Sequence, residues 1–198
     1  VICGSGEMLN TLKEKAKTCP SLVLPGWIDK NQINTLLSVS KAGILPYPST
    51  LDFIRSFPNK VGEYLSKNLP ILSSVKGEMQ TLLKDWNCGI TYENNSPESL
   101  VNAINLIENN TEFRIEMSAN AEKCYRAVFD SDIVYEDYVN YIKSFGIESL
   151  VEFGCGLGKT SDFINSNTEI DFLGVDISET SIQKSKLNYP HLNFKVDE

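Results

Sequence analysis

Short apolar runs alternate with helical patterns along this chain, and that alternation limits the fold more than any other feature. Runs at 1–3, 21–24, 42–45, 71–74 and 88–92 are each separated from the next by one amphipathic segment. Strand–helix–strand repetition builds a parallel sheet through right-handed crossovers. The predicted class is therefore α/β, a Rossmann-like parallel sheet. Stop and start signals support the helices. Asp29 is placed to cap a helix over 30–40, Ser96 caps one opened by Pro97 and Glu98, and Ser178 caps one over 179–188. Further helices are predicted over 7–18, 58–66, 77–86, 112–128 and 132–144. From residue 149 the rhythm restarts, with strands over 150–153, 172–175 and 192–196 and a glycine turn over 154–158. Two domains follow, 1–144 and 145–198. The boundary falls within 130–148, where the helix could belong to either.

Charge and cysteine usage exclude several classes. The net charge of −8 argues against a nucleic-acid partner, which asks for a basic patch or stripe. No apolar run approaches the roughly 20 residues that span a bilayer. Five cysteines are scattered singly beside one histidine, His191, a poor ligand supply for zinc. Each cysteine reads as a small buried apolar residue, and the odd count suits reduced thiols in a cytoplasm. The aromatic stripe around Tyr135, Tyr138 and Tyr141 reads as packing. Val1 opens inside an apparent strand and Glu198 follows another, so both ends read as truncations.

Residues 46–74 form the first candidate site. They read as a strand end, a polar loop with Arg55, a helix opened by Pro58, and the strand 71–74. A carboxylate near a helix mouth, as at Glu63, can accept both hydroxyls of a ribose. Backbone N–H groups at Asn59 and Lys60 can face a diphosphate, and Lys60 and Arg55 can add charge. Spacing alone still favours the plainer reading, in which Glu63 and Lys60 are solvated helix residues. The turn Gly4-Ser5-Gly6 likewise reads more readily as a plain βα turn than as a phosphate fingerprint, since the third glycine is missing.

Three stretches in order, VICGSGEMLNTLKEKAK, LVLPGWIDKNQINTLLSVSKAGILPYPS and FPNKVGEYLSKNLPILSS, resemble the C-terminal, donor-binding domain of family-4 glycosyltransferases of the GT-B fold. The resemblance covers about residues 1–142. It is closest to members with a proline-asparagine-lysine signature, often found in surface-polysaccharide assembly. It implies retaining, metal-independent transfer from a nucleotide sugar to a glycan or lipid-linked glycan. In this family two glutamates eight residues apart frame the donor, and Glu63 matches the second, which binds ribose. Eight residues earlier stands Arg55, a departure at the position that approaches the sugar. Ser56 and Phe57 fall where the family offers backbone N–H groups to phosphates. Gly26, Trp27 and Ile28 would flank the base, and Gly4 and Gly6 would line the cleft. The acceptor-binding domain would lie upstream of Val1, which also leaves room for peripheral association with the inner face of a membrane.

Residues 152–158 read EFGCGLG after a predicted strand, and Asp176 ends the next strand 18 residues beyond Gly158. A dinucleotide fingerprint needs GxGxxG, and a P-loop needs glycine where Phe153 stands, so both fail. The stretches LVEFGCGLGKT and FLGVDIS resemble the S-adenosylmethionine site of class I methyltransferases, over about residues 145–198. That resemblance implies cofactor contacts from Glu152, Gly154, Cys155, Gly156, Gly158, Asp176 and Ile177, with Asp197 or Glu198 near adenine. Lys159 reads as a solvated lysine at a helix start. The chain then combines a glycosyltransferase with the opening of a methyltransferase, without a metal. The alternative is a methyltransferase carrying a degenerate nucleotide-binding module. With each site half built, the isolated chain is expected to be inactive.

Overall fold

The computed structural model describes residues 1–197. The chain divides into two compact units, Val1–Tyr125 and the residues from Arg126 onward.

The first unit opens on α1 (Leu9–Ala16) and α2 (Lys30–Val39). The strands expected over 1–3 and 21–24 do not form a ladder. They meet in one parallel bridge, Cys3 with Gly26, supported by Ile2 N donating to Val23 O at 2.9 Å. Both runs are thin and half exposed, with Ile2 at 50% and Val23 at 51%, so little packing rewards longer pairing. Asp29 does cap α2, in a reciprocal capping box with Gln32.

Next come β1 (Gly43–Leu45), α3 (Leu51–Ile54), α4 (Lys60–Leu65), β2 (Ile71–Ser73), α5 (Glu78–Asp85) and β3 (Gly89–Thr91). The three strands pair in parallel in the order β1-β2-β3. Helix α3 falls inside what the sequence presents as a loop, and α4 starts two residues after Pro58. Helices α6 (Pro97–Asn109) and α7 (Thr111–Cys124) follow, capped by Ser96 and Asn110, and a π-helical turn spans Tyr125–Phe129. Leu72, Tyr92, Ala103, Ile107 and Met117 form a cluster that seats α6 and α7 on the sheet. Burying Leu72, Ile107 and Met117 contributes about 1.5–3 kcal/mol each. Of the five cysteines, Cys88, Cys124 and Cys155 are buried as expected, whereas Cys3 and Cys19 are exposed.

The second unit contains α8 (Ser131–Ser144), β4 (Ser149–Phe153), α9 (Lys159–Asn167), β5 (Asp171–Asp176), α10 (Glu179–Asn188) and β6 (Asn193–Val196). Its strands are parallel in the order β4-β5-β6. Ile142 of α8 packs with Ile164 and Phe172, so this helix completes the second core. The aromatic stripe of α8 is only partly packing. Tyr135 lies 5.2 Å from the Phe163 ring, but Tyr138, Tyr141 and Phe145 are exposed.

Candidate functional site

In the first unit the polar loop after β1 is pinned to the carboxyl end of β2. Ser74 Oγ donates to Tyr47 O at 2.8 Å, and Ser49 Oγ donates to Ser74 O at 2.9 Å. Tyr47 and Phe53 stack with centroids 4.7 Å apart. Gly77, at φ +73°, takes the end of α3 against it: a Cβ there would lie 2.6 Å from Ile54 O. Ser73 and Ser74 are buried and read in the sequence merely as a strand end, so this fastening carried no local signal. In open parallel sheets, ligands bind outside the carboxyl ends of the strands, the side on which this loop sits.

The loop delivers Arg55 at the end of α3, then Ser56, Phe57 and Asn59, then Lys60 and Glu63 in the first turn of α4. All six are exposed. Ser56 Oγ is committed to Asp52 O. Among the described residues, the side chains of Arg55, Lys60 and Glu63 make no hydrogen bond or ion pair. Val61 N donates to Pro58 O, so the turn at Pro58 leads directly into α4. Tyr64 follows Glu63, and burial raises its hydroxyl pKa, with Tyr47, Glu63 and Cys3 adding smaller effects. Gly4 N donates to Gly26 O at 2.7 Å, which joins the first glycine turn to the loop carrying Trp27 and Ile28. Gly4 and Gly6 line a hollow of about 120 Å³ with Ile2, Cys3, Met8 and Leu24. Trp27 is 73% exposed, whereas Ile28 is half-buried.

In the second unit the glycine turn closes over β5. Gly154 N and Cys155 N both donate to Val175 O, at 2.7 and 3.0 Å. Asp176 is the hub. Its Oδ2 accepts from Gly156 N at 2.9 Å and its Oδ1 from Ser178 N at 2.8 Å. Those two N–H groups, Ser178 first, hold its carboxyl below the usual aspartate range. Ionised, it keeps acceptor capacity for two further donors such as a ribose diol. Glu152 accepts from the buried Ser161 Oγ at 2.6 Å. Gly154 and Gly156 have nothing within 4 Å of where a Cβ would stand, so the turn is an open cradle. Burial raises the Cys155 thiol pKa, and Glu152 and Asp176 raise it further. Ile177 is exposed beside Asp176, and Lys159 is exposed at the start of α9. Asp197 N donates to Asp176 O at 3.3 Å, which brings Asp197 to the same strand end; Glu198 lies outside the described residues.

Two side chains in this cradle were not legible beforehand. Ser161 fixes Glu152, and Phe194 of β6 lies under the turn, 2.7 Å from a Cβ at Gly158 and 2.6 Å from one at Gly174. Among the described residues, no three His, Cys, Asp or Glu side chains come together as a metal site. None of the helices is long and apolar enough to cross a membrane, again among the described residues.

Comparison with known proteins agrees with the α/β fold and its parallel sheets. The family model "Glycosyl transferases group 1" matches residues 1–124, more than half of the chain. The chain belongs to that family. Among solved structures it is similar to sucrose-phosphate synthase from Thermosynechococcus elongatus, with a TM-score of 0.58 and 16% identity. That match covers 72% of this chain and 37% of the synthase chain, and it establishes the shared fold. No curated protein matches the chain.

Proposed function

We propose that the first unit is the donor-binding half of a retaining, metal-independent glycosyltransferase that uses a nucleotide sugar. The observation that carries this reading is the pinned loop above the strand ends of a group 1 glycosyltransferase domain, with exposed and unpaired Arg55, Lys60 and Glu63 in and just after it. Glu63 takes the ribose hydroxyls. Lys60 and Arg55 stabilise the negative charge that develops on the leaving diphosphate, in place of a cation. Gly26, Trp27 and Ile28 flank the base, and Gly4 and Gly6 admit the donor. Surface-glycan assembly, with a glycan or lipid-linked glycan acceptor, is the setting this reading suggests.

The second unit is, on the same proposal, the opening of a methyltransferase that uses S-adenosylmethionine. The open cradle at Gly154 and Gly156 and the spare acceptor capacity of Asp176 fit that cofactor. Glu152, Cys155, Gly158 and Ile177 complete the contacts. The cofactor supplies a methyl group already activated by its sulfonium, and the protein binds and aligns it. Isothermal titration with UDP or GDP, and separately with S-adenosylhomocysteine, tests both halves. Heat in each titration is expected. Silence with both nucleotides removes the first reading, and silence with S-adenosylhomocysteine removes the second.

Arg55 at the position where the family has its sugar-facing glutamate favours one other reading, a nucleotide-binding module that transfers no sugar. Transfer or hydrolysis of any nucleotide sugar that is lost in Glu63→Ala rules that module out.

A further inference from the structure

Gly43 opens β1 in the middle of an apolar run, and nothing in its own backbone requires glycine there. What requires it is Tyr64. A Cβ at Gly43 would lie within 2.6 Å of the Tyr64 ring, including Cγ at the root of the ring. The ring therefore cannot swing clear without turning the whole side chain. Tyr64 rests against the sheet at a position where β1 has no side chain.

Helix α4 needs such a fastening. It has only six residues, and Asn59 at its start makes no side-chain cap bond. A helix this short is not stable alone and takes its orientation from packing. Val61 and Leu65 are fully buried, and Tyr64 joins them on the sheet side. Consecutive helical residues point about 100° apart around the axis. A ring fixed on the sheet therefore sets the direction of Glu63, which no other side chain holds.

We propose that Tyr64, seated on Gly43, is the positioning residue for Glu63, so that the sheet surface rather than the helix end sets the ribose carboxylate. The proposal rests on the donor-site reading given above. The hydroxyl is not required for it; the ring is.

A double-mutant cycle tests the proposal on the full chain, with UDP and GDP as titrants in calorimetry. Gly43→Ala is expected to weaken nucleotide binding about tenfold, a change of about 1.4 kcal/mol. Glu63→Ala is expected to weaken it by a similar factor. The double variant should be no weaker than Glu63→Ala alone, because Gly43 acts through Glu63. Tyr64→Phe should bind like the parent chain. Additive losses would mean a general structural role and would overturn the proposal, as would unchanged binding in Gly43→Ala. If circular dichroism shows Gly43→Ala unfolded, Tyr64→Leu takes its place in the same cycle, with the same criteria. A parent chain that binds neither nucleotide fails before any variant is made; that outcome removes the donor reading and this proposal together.

Discussion

Asp176 is a structural tie, and the proposed cofactor site would use the same side chain as a ligand group. Each of its oxygens already accepts a backbone N–H, from Gly156 and from Ser178, and so joins the glycine turn to the start of α10. Because its folded pKa is depressed, its contribution to stability is present above the unfolded value of about 3.9. That contribution is lost as the pH falls through the lower folded pKa. Asp176→Asn should therefore lose stability at pH 7 and flatten the acid limb of a stability–pH curve measured by urea unfolding. Unchanged acid sensitivity would show that the hydrogen bonds of Asp176 do not matter to folding. Gly158 is constrained in two ways. It sits at φ +79°, and a Cβ would meet the Phe194 ring. Gly158→Ala should cost about 1–2 kcal/mol for the left-handed backbone, with overpacking adding about 1–3 kcal/mol. Trimming Phe194 to leucine in the same chain should recover part of the second loss but none of the first.

The elements that local chemistry specifies were legible in the sequence. Asp29 marks the start of α2, where the structure adds Gln32 to complete a capping box, and Asp29→Ala should cost about 1 kcal/mol in chemical denaturation. Ser96 and Ser178 announce α6 and α10 in the same way. The glycine turn and Asp176 were readable because strand, turn and acid follow one another in sequence. What stayed hidden depends on distant partners. The four-residue α3 is held by Gly77 and by the Tyr47–Phe53 stack, and nothing within residues 51–54 encodes it. The bridge between Cys3 and Gly26 replaces two expected strands because no neighbouring strand covers them. The seat of Tyr64 on Gly43 joins residues that are far apart in sequence. The Ser74–Ser49 fastening is another such case. Ser74→Ala removes the donor to Tyr47 O and should cost about 1 kcal/mol. Hydrogen exchange over residues 46–57 should quicken more than that over β2, because the loop has lost one of its ties while the strand keeps its ladder.

At the scale of the whole molecule, each unit has its own hydrophobic cluster and its own parallel sheet. Leu72, Tyr92, Ala103, Ile107 and Met117 all precede residue 125, whereas Ile142, Ile164 and Phe172 all follow it. A ligand that binds only the folded form stabilises the unit that holds it, by about 2.7 kcal/mol at a hundred times its dissociation constant. With two cores, and with the two proposed sites in different units, that stabilisation should be selective. UDP or GDP should slow hydrogen exchange in β1, β2 and α4 and leave β4, β5 and α9 unchanged. S-adenosylhomocysteine should do the reverse. The comparison is made by mass spectrometry on one chain, so each unit acts as the internal reference for the other. Glu63→Ala should abolish the first protection without touching the second, and Asp176→Asn should abolish the second without touching the first. Protection that spreads through both units with either ligand would show that the two cores respond as one cooperative body, and the assignment of one donor site to each would then have to be given up.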